Sequence, residues 1–178
     1  MEYLGNERDV HIPEGVTAID SEAFASEAKV VNVYIPASVT DIEEATFADL
    51  PYLAAIHVDE ESPAYRSVNG ALYTKDMSVL LQYPVANRNT SYNAPEGLLR
   101  VGMGAFYYCR EVHYVNLGGV TEIGASAFLG CMHLFSLTAT AATIDVGEDA
   151  FGECFKLERV EAPALLSKKD IVFPDSRV

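Results

Sequence analysis

The sequence holds three cysteines, no tryptophan, four histidines and few basic residues, and each shortage closes off a class of explanation. Three cysteines cannot all pair within one chain, so no disulfide framework defines the fold. Twelve lysines and arginines against 26 acidic residues leave a formal charge of −14. That balance argues against nucleic acid and anionic membranes, whose phosphates need basic clusters. No run approaches the ~18 consecutive apolar residues of a membrane-spanning helix. The opening stretch, MEYLGNERDVHIPEGV, carries early acidic charge and no apolar core of signal-peptide length. It reads as the start of a cytoplasmic protein if the chain is complete, and otherwise as a piece of an exported one. Catalytic signatures are missing too: no H-E-x-x-H, no G-x-S-x-G elbow, no phosphate loop and no dinucleotide fingerprint.

What the sequence does have is repetition. The lines VGMGAFYYC (101–109), IGASAFLGC (123–131) and VGEDAFGEC (146–154) share a frame with IDSEAF and IEEATF further upstream. Their phenylalanines, Phe24, Phe47, Phe106, Phe128 and Phe151, are separated by 23, 59, 22 and 23 residues. Five residues before each anchor stands Ile19, Ile42, Val101, Ile123 or Val146. Six after it stands Val30, Leu53, Val112, Leu134 or Leu157, and nine after it Val33, Ile56, Val115, Leu137 or Val160. All are aliphatic. A period of this length, with an L-x-x-L-x-L strand as in LAAIHV, VHYVNL and LFSLTA, predicts a leucine-rich solenoid of parallel strands on one face. A second short extended piece is expected before each Ala-Phe turn, and Pro13, Pro36, Pro95 and Pro163 follow the main strands where the ladder stops.

The long interval contains one extra element. The runs ALYT and SVLLQY, split by KDM, predict an antiparallel hairpin, with Asn69-Gly70 marking a turn before it. The domain therefore reads as one unit over 1–178: an N-terminal cap (1–12), repeats at 13–58 and 92–163, a hairpin insert (59–91), and a C-terminal cap or tail (164–178). The tyrosines and leucines of the insert predict that it packs on the solenoid and extends the core, leaving the tip Lys75-Asp76-Met77 exposed.

These residues resemble the BspA-like leucine-rich repeat proteins, whose repeats take the form I-x-x-x-A-F-x-x-C-x-x-L-x-x-V-x-I-P. The resemblance spans roughly residues 10 to 163. It includes the insert, where Tyr65, Ser67, Asn69, Gly70, Leu72, Tyr73, Lys75, Asp76, Ser78, Leu80, Tyr83 and Pro84 match a recurrent element of that family. The first two coils depart from the pattern, with Glu27 and Leu50 in place of the cysteine. The resemblance implies a secreted or cell-surface adhesion module.

The recurring aromatics and cysteines read as architecture. A coil cannot bury its own apolar face, so identical core residues must stack on their neighbours. Cys109, Cys131 and Cys154 lack a C-x-x-C partner and read as small buried hydrophobes. No cofactor and no metal is implied. Candidate binding residues are those facing outward along the strands, expected to form one continuous stripe: Asn32, Tyr34, His57, Asn93, Tyr114, Asn116, Thr138, Arg159 and Glu161. The expected function is non-enzymatic binding of a protein or glycan on this face. The alternative is a structural spacer, or a module that self-assembles through its terminal coils without a small-molecule ligand.

Overall fold

The computed structural model describes residues 7–24 and 29–166 of the chain, and these form a mostly β solenoid. One side of each coil carries a longer strand: β1 (Asp9–His11), β3 (Asn32–Ile35), β5 (Ala55–Val58), β9 (Ser91–Asn93), β11 (Tyr114–Asn116), β13 (Ser136–Thr138) and β15 (Arg159–Glu161). The other side carries two-residue strands: β2 (Ala18–Ile19), β4 (Asp41–Ile42), β10 (Arg100–Val101), β12 (Glu122–Ile123) and β14 (Asp145–Val146). The insert supplies β6 (Tyr65–Val68), β7 (Ala71–Thr74) and β8 (Val79–Gln82), and a single helical turn, α1 (Pro163–Leu166), follows the last strand. Residues 1–6 of the expected N-terminal cap (1–12), residues 167–178 of the expected C-terminal cap or tail (164–178), and Glu27 lie outside the described residues.

The register follows the repeat. Val10, Val33 and Ile56 lie across from one another in parallel, as do Tyr92, Val115, Leu137 and Val160. Alternation puts these residues inside and their neighbours out, as a half-buried strand requires. The aliphatic residues six and nine after each anchor are all buried. Burying a side chain of this size contributes about 1.5–3 kcal/mol.

The anchors form the predicted column. Phe106 and Phe128 stack with centroids 4.7 Å apart, and Phe128 and Phe151 at 5.4 Å, both nearly parallel. Phe24 and Phe47 sit 5.3 Å apart but tilted by 47°. Such offset pairs add about 0.5–1.5 kcal/mol beyond burial. Left-handed residues tighten the turns around four of the five anchors. Two before the anchor stand Ala45, Gly104, Ser126 and Asp149, and two after it Tyr108, Gly130 and Glu153, all with positive φ. Gly130 is required on a second count: a Cβ there would meet the Tyr108 ring at 2.8 Å.

The cysteines have a structural task. Cys109, Cys131 and Cys154 donate from Sγ to the carbonyls of Tyr83, Phe106 and Phe128 at 3.5, 3.0 and 3.2 Å. Each thiol is thus a second donor to an anchor carbonyl of the preceding coil: Phe106 and Phe128 C=O already accept the Cys109 and Cys131 N–H, and Tyr83 C=O the Gln82 side-chain amide. All three are free and buried.

Three expectations need correction. The single parallel sheet is divided: the long strands form β1-β3-β5 and β9-β11-β13-β15 as separate sheets, because the insert enters between β5 and β9. The hairpin also has a third strand, β6, pairing antiparallel with β7 through the Asn69-Gly70 turn, whose φ values of 52° and 83° are those of a type I′ turn. Gly70 C=O takes the Ile56 N–H and thereby covers the edge of β5. At the tip, Lys75 and Asp76 are exposed, but Met77 folds back against the core.

The insert is also more than a hairpin. β8 pairs in parallel with β10, Leu80 opposite Val101, and so joins the short-strand face. Tyr83 stacks on Phe106 at 4.9 Å and extends the anchor column. Tyr65 reaches back to β4, its hydroxyl accepting the Ile42 N–H at 2.9 Å. Leu72, Tyr73, Leu80 and Tyr83 are all buried. A chain lacking residues 66–90 should therefore lose its cooperative thermal transition, or melt at least about 10 °C lower, since 1 kcal/mol moves a chain of this size by roughly 2–4 °C. A deletion that melts at the wild-type temperature would contradict this packing; differential scanning calorimetry measures it.

Candidate functional site

The outward face of β1-β3-β5 is organised by rings. His11 and Tyr34 stack at 4.2 Å and 5°, and Tyr34 and His57 at 4.6 Å and 13°. Strand spacing of about 4.8 Å imposes this ladder on any aromatic trio in register. Beside it, Asn32 donates to Asp9 Oδ1 at 2.6 Å. A shallow groove of about 290 Å³ runs along the ladder and is bordered by the acidic residues Glu14 and Asp59.

The second face, on β9-β11-β13-β15, has a different character. Tyr114 is 53% exposed and meets the exposed Phe135 edge-to-face at 6.2 Å. His113 lies between Tyr114 and His133, at 6.3 and 5.8 Å. His133 Nδ1 lies 2.8 Å from the Arg110 carbonyl. Asn116 is committed to its own turn, its Oδ1 accepting the Gly118 N–H. Arg159 and Glu161 form an exposed ion pair with each other, and Thr138 is half-buried. The structure thus brings Asn32, Tyr34 and His57 together on one sheet, and Asn93, Tyr114, Asn116, Thr138, Arg159 and Glu161 on another. The continuous stripe expected from the repeat is interrupted between His57 and Asn93 by the insert.

Sequence reasoning missed Phe135 and His113, which sit one position before the strand-facing residues and were therefore outside the alternation. It also missed a notch of about 830 Å³ on the turn side, where the insert coil is recessed between Pro51 and Tyr107. Arg88 and Arg110 line it with Asp49 and Glu111, and Arg110 packs over the Tyr108 ring. Nearby, Arg100 joins Glu44 and Glu122 across three coils, and Glu44 also accepts the Met103 N–H. Burial pushes the Glu44 carboxyl up, but these two partners outweigh it and hold the group below its ordinary value.

The chain matches the model of the BspA type leucine-rich repeat region in six copies, over residues 3–67 and 86–173, and it belongs to that family. Residues 68–85, which hold β7 and β8, separate the two matched segments. Among solved structures it is similar to a leucine-rich repeat protein from Eubacterium ventriosum (22% identity, TM-score 0.60, 86% of this chain and 54% of that one). It is similar as well to the pneumococcal vaccine antigen PcpA (18%, 0.68, 87% and 50%) and to the T. pallidum leucine-rich repeat protein (24%, 0.56, 88% and 80%). The chain spans about half the length of the first two, and at these identities the likeness is one of fold. No curated protein matches the sequence.

Among the described residues no group of three His, Cys, Asp or Glu is placed to hold a metal ion, and no helix is long and apolar enough to cross a membrane. The thiols are disarmed by burial, which pushes all three up, Cys154 to about 12. A thiolate is the reactive form, and with all three thiols pushed up by burial the folded protein holds almost none near neutral pH. At pH 8 a colorimetric thiol reagent should therefore label no cysteine in the native chain over hours and three after denaturation. Rapid labelling of the native chain would contradict the buried column.

Proposed function

We propose that the chain is a non-enzymatic recognition module that binds a protein partner through its two outward sheet faces, with Tyr34 and His57 central to one and Tyr114 and Phe135 to the other. The observation that carries this reading is the ring ladder. Both faces of Tyr34 are covered by imidazoles, so what the ladder offers is its edges: a phenol hydroxyl flanked by ring nitrogens. Sugars are held mainly by stacking on an open ring face, and this ladder keeps its central face closed. Protein surfaces are met by such hydrogen-bonding edges beside an apolar anchor, which Tyr114 and Phe135 supply. The formal charge of −14 favours a partner with a basic surface, through steering of the encounter. Family membership supports a repeat surface used for binding, and a vaccine antigen among the structural relatives supports an exported location.

Protein and glycan arrays probed with the intact chain, and with the pairs Tyr34→Ala/His57→Ala and Tyr114→Ala/Phe135→Ala, test this. The account expects protein hits that weaken at least about tenfold in one double variant, the loss of a single interface anchor of ~1.4 kcal/mol or more. Both variants should melt within a few degrees of the parent. Hits on glycans alone, or protein hits unchanged in both variants, would overturn it.

A further inference from the structure

The division of the long-strand face leaves β9 as the end strand of its sheet. In β11, Tyr114 and Asn116 turn their backbone groups toward the preceding coil: Tyr114 N–H reaches Thr90 C=O, and Ala94 N–H reaches Asn116 C=O. Ser91 and Asn93 are their register partners in β9, so their N–H and C=O groups face the seam, where no strand pairs with them. β5 across the seam is already engaged by Gly70.

A cavity of about 230 Å³ opens beside this edge, with Ser91 and Asn93 on its wall. It is too small for most organic ligands, whose sites run about 300–1,000 Å³, and is on the scale of a side chain. Three buried tyrosines line it. Tyr73 and Tyr92 bond hydroxyl to hydroxyl at 3.2 Å, while the Tyr83 hydroxyl has no hydrogen-bond partner although Tyr83 is only 4% exposed. Asn89 faces that hydroxyl without closing a bond. No charged side chain lines the cavity, in a chain that is 21% charged. Burial also pushes the Tyr83 hydroxyl up to about 12 and that of Tyr92 higher still, so the phenols stay neutral donors and acceptors. The orphan is informative because the other anchors are phenylalanine: a Phe at 83 would fill the column without leaving a buried hydroxyl unsatisfied.

We propose that the seam is a peptide-binding site: an extended segment of a partner protein adds as a strand to the free edge of β9, pairing with Ser91 and Asn93, and places an uncharged hydrogen-bonding side chain (Asn, Gln or Thr) against the Tyr83 hydroxyl. Backbone pairing gives such a site its affinity and the pocket gives it selectivity. A charged side chain would enter a cavity with no counter-ion, and an apolar one would leave the hydroxyl unpaired. The inference stands apart from the ring faces, since neither Tyr34 nor Tyr114 lines the cavity.

The test is amide NMR of the whole chain titrated with blocked pentapeptides, Val-Thr-X-Thr-Val, with X as Asn, Gln or Thr and with Asp, Lys or Phe as controls. The first group should move the Ser91 and Asn93 amide signals to saturation, and the controls should bind at least tenfold more weakly. Tyr83→Phe installs the residue of the other anchors, so it should melt no lower than the parent yet weaken the Asn, Gln and Thr peptides about tenfold, the loss of one hydrogen bond to a buried hydroxyl. Asn93→Pro removes an N–H that serves no bond to β11 and should abolish the shifts for every peptide. Three results would overturn the proposal: no shift at millimolar peptide, which means the cavity holds only water; equal binding by Tyr83→Phe; or a dimer of the chain itself that Asn93→Pro dissolves.

Discussion

Each coil of this protein has an apolar side it cannot bury alone, and the fold follows from the need to cover that side with the coil above and the coil below. A coil of about 23 residues carries one large ring, two or three aliphatic side chains and, in three coils, a thiol. None of these is enclosed within its own coil. Stacked at strand spacing, they become columns in which each atom is covered twice, and the energy of the array is mainly a sum of contacts between neighbours. The phenylalanine column shows the demand most directly, since Phe106, Phe128 and Phe151 are parallel and almost wholly inaccessible. The left-handed residues on both sides of Phe106, Phe128 and Phe151 serve the same end, and each thiol adds a second donor to a carbonyl of the preceding coil. The left-handed residues let a tight turn pass around a bulky ring, and the thiols fill the space beside it.

The insert follows the same rule by other means. Its coil must continue the column, and Tyr83 does so, but the residue six positions later is Asn89 where the other coils place a buried aliphatic residue. The hairpin of β6 and β7 covers β5 and leaves β9 open. The consequences are functional as well as structural: two separate ring-bearing faces, a recessed notch on the turn side, and a polar cavity at the seam. A perfectly regular solenoid of this sequence family would have none of the last three features, so the irregular coil is where this chain differs from its own repeat.

Much of this was legible from residues alone because the period is strict. Fifteen aliphatic positions fix which side of each strand is buried, and the strands fall where the L-x-x-L-x-L pattern puts them. The anchor in the insert was legible too, since Tyr83 lies 23 residues before Phe106 and nine before Tyr92, but it is visible only if tyrosine is admitted at a phenylalanine position. The division of the sheet was not legible. Tyr92 and Ala94 keep the strand spacing of Val33 and Ile35, and spacing does not say whether the strand on the far side is present. Nor was the role of the thiols, because a hydrogen bond to a carbonyl one coil away leaves no mark in a periodic pattern. The candidate face was only partly visible: alternation assigns Tyr34 and Tyr114 outward correctly, whereas Phe135 gains its exposure from the turn that precedes its strand.

If stacking between coils is what holds the array together, removing one ring from the middle of the column must damage both neighbours. Phe128 has a ring on each side. For Phe128→Ala, urea unfolding combined with amide hydrogen exchange should show a loss of about 3–5 kcal/mol, with reduced protection in β10 and β14 as well as in β12. A loss below about 1 kcal/mol, or one confined to β12, would contradict the account.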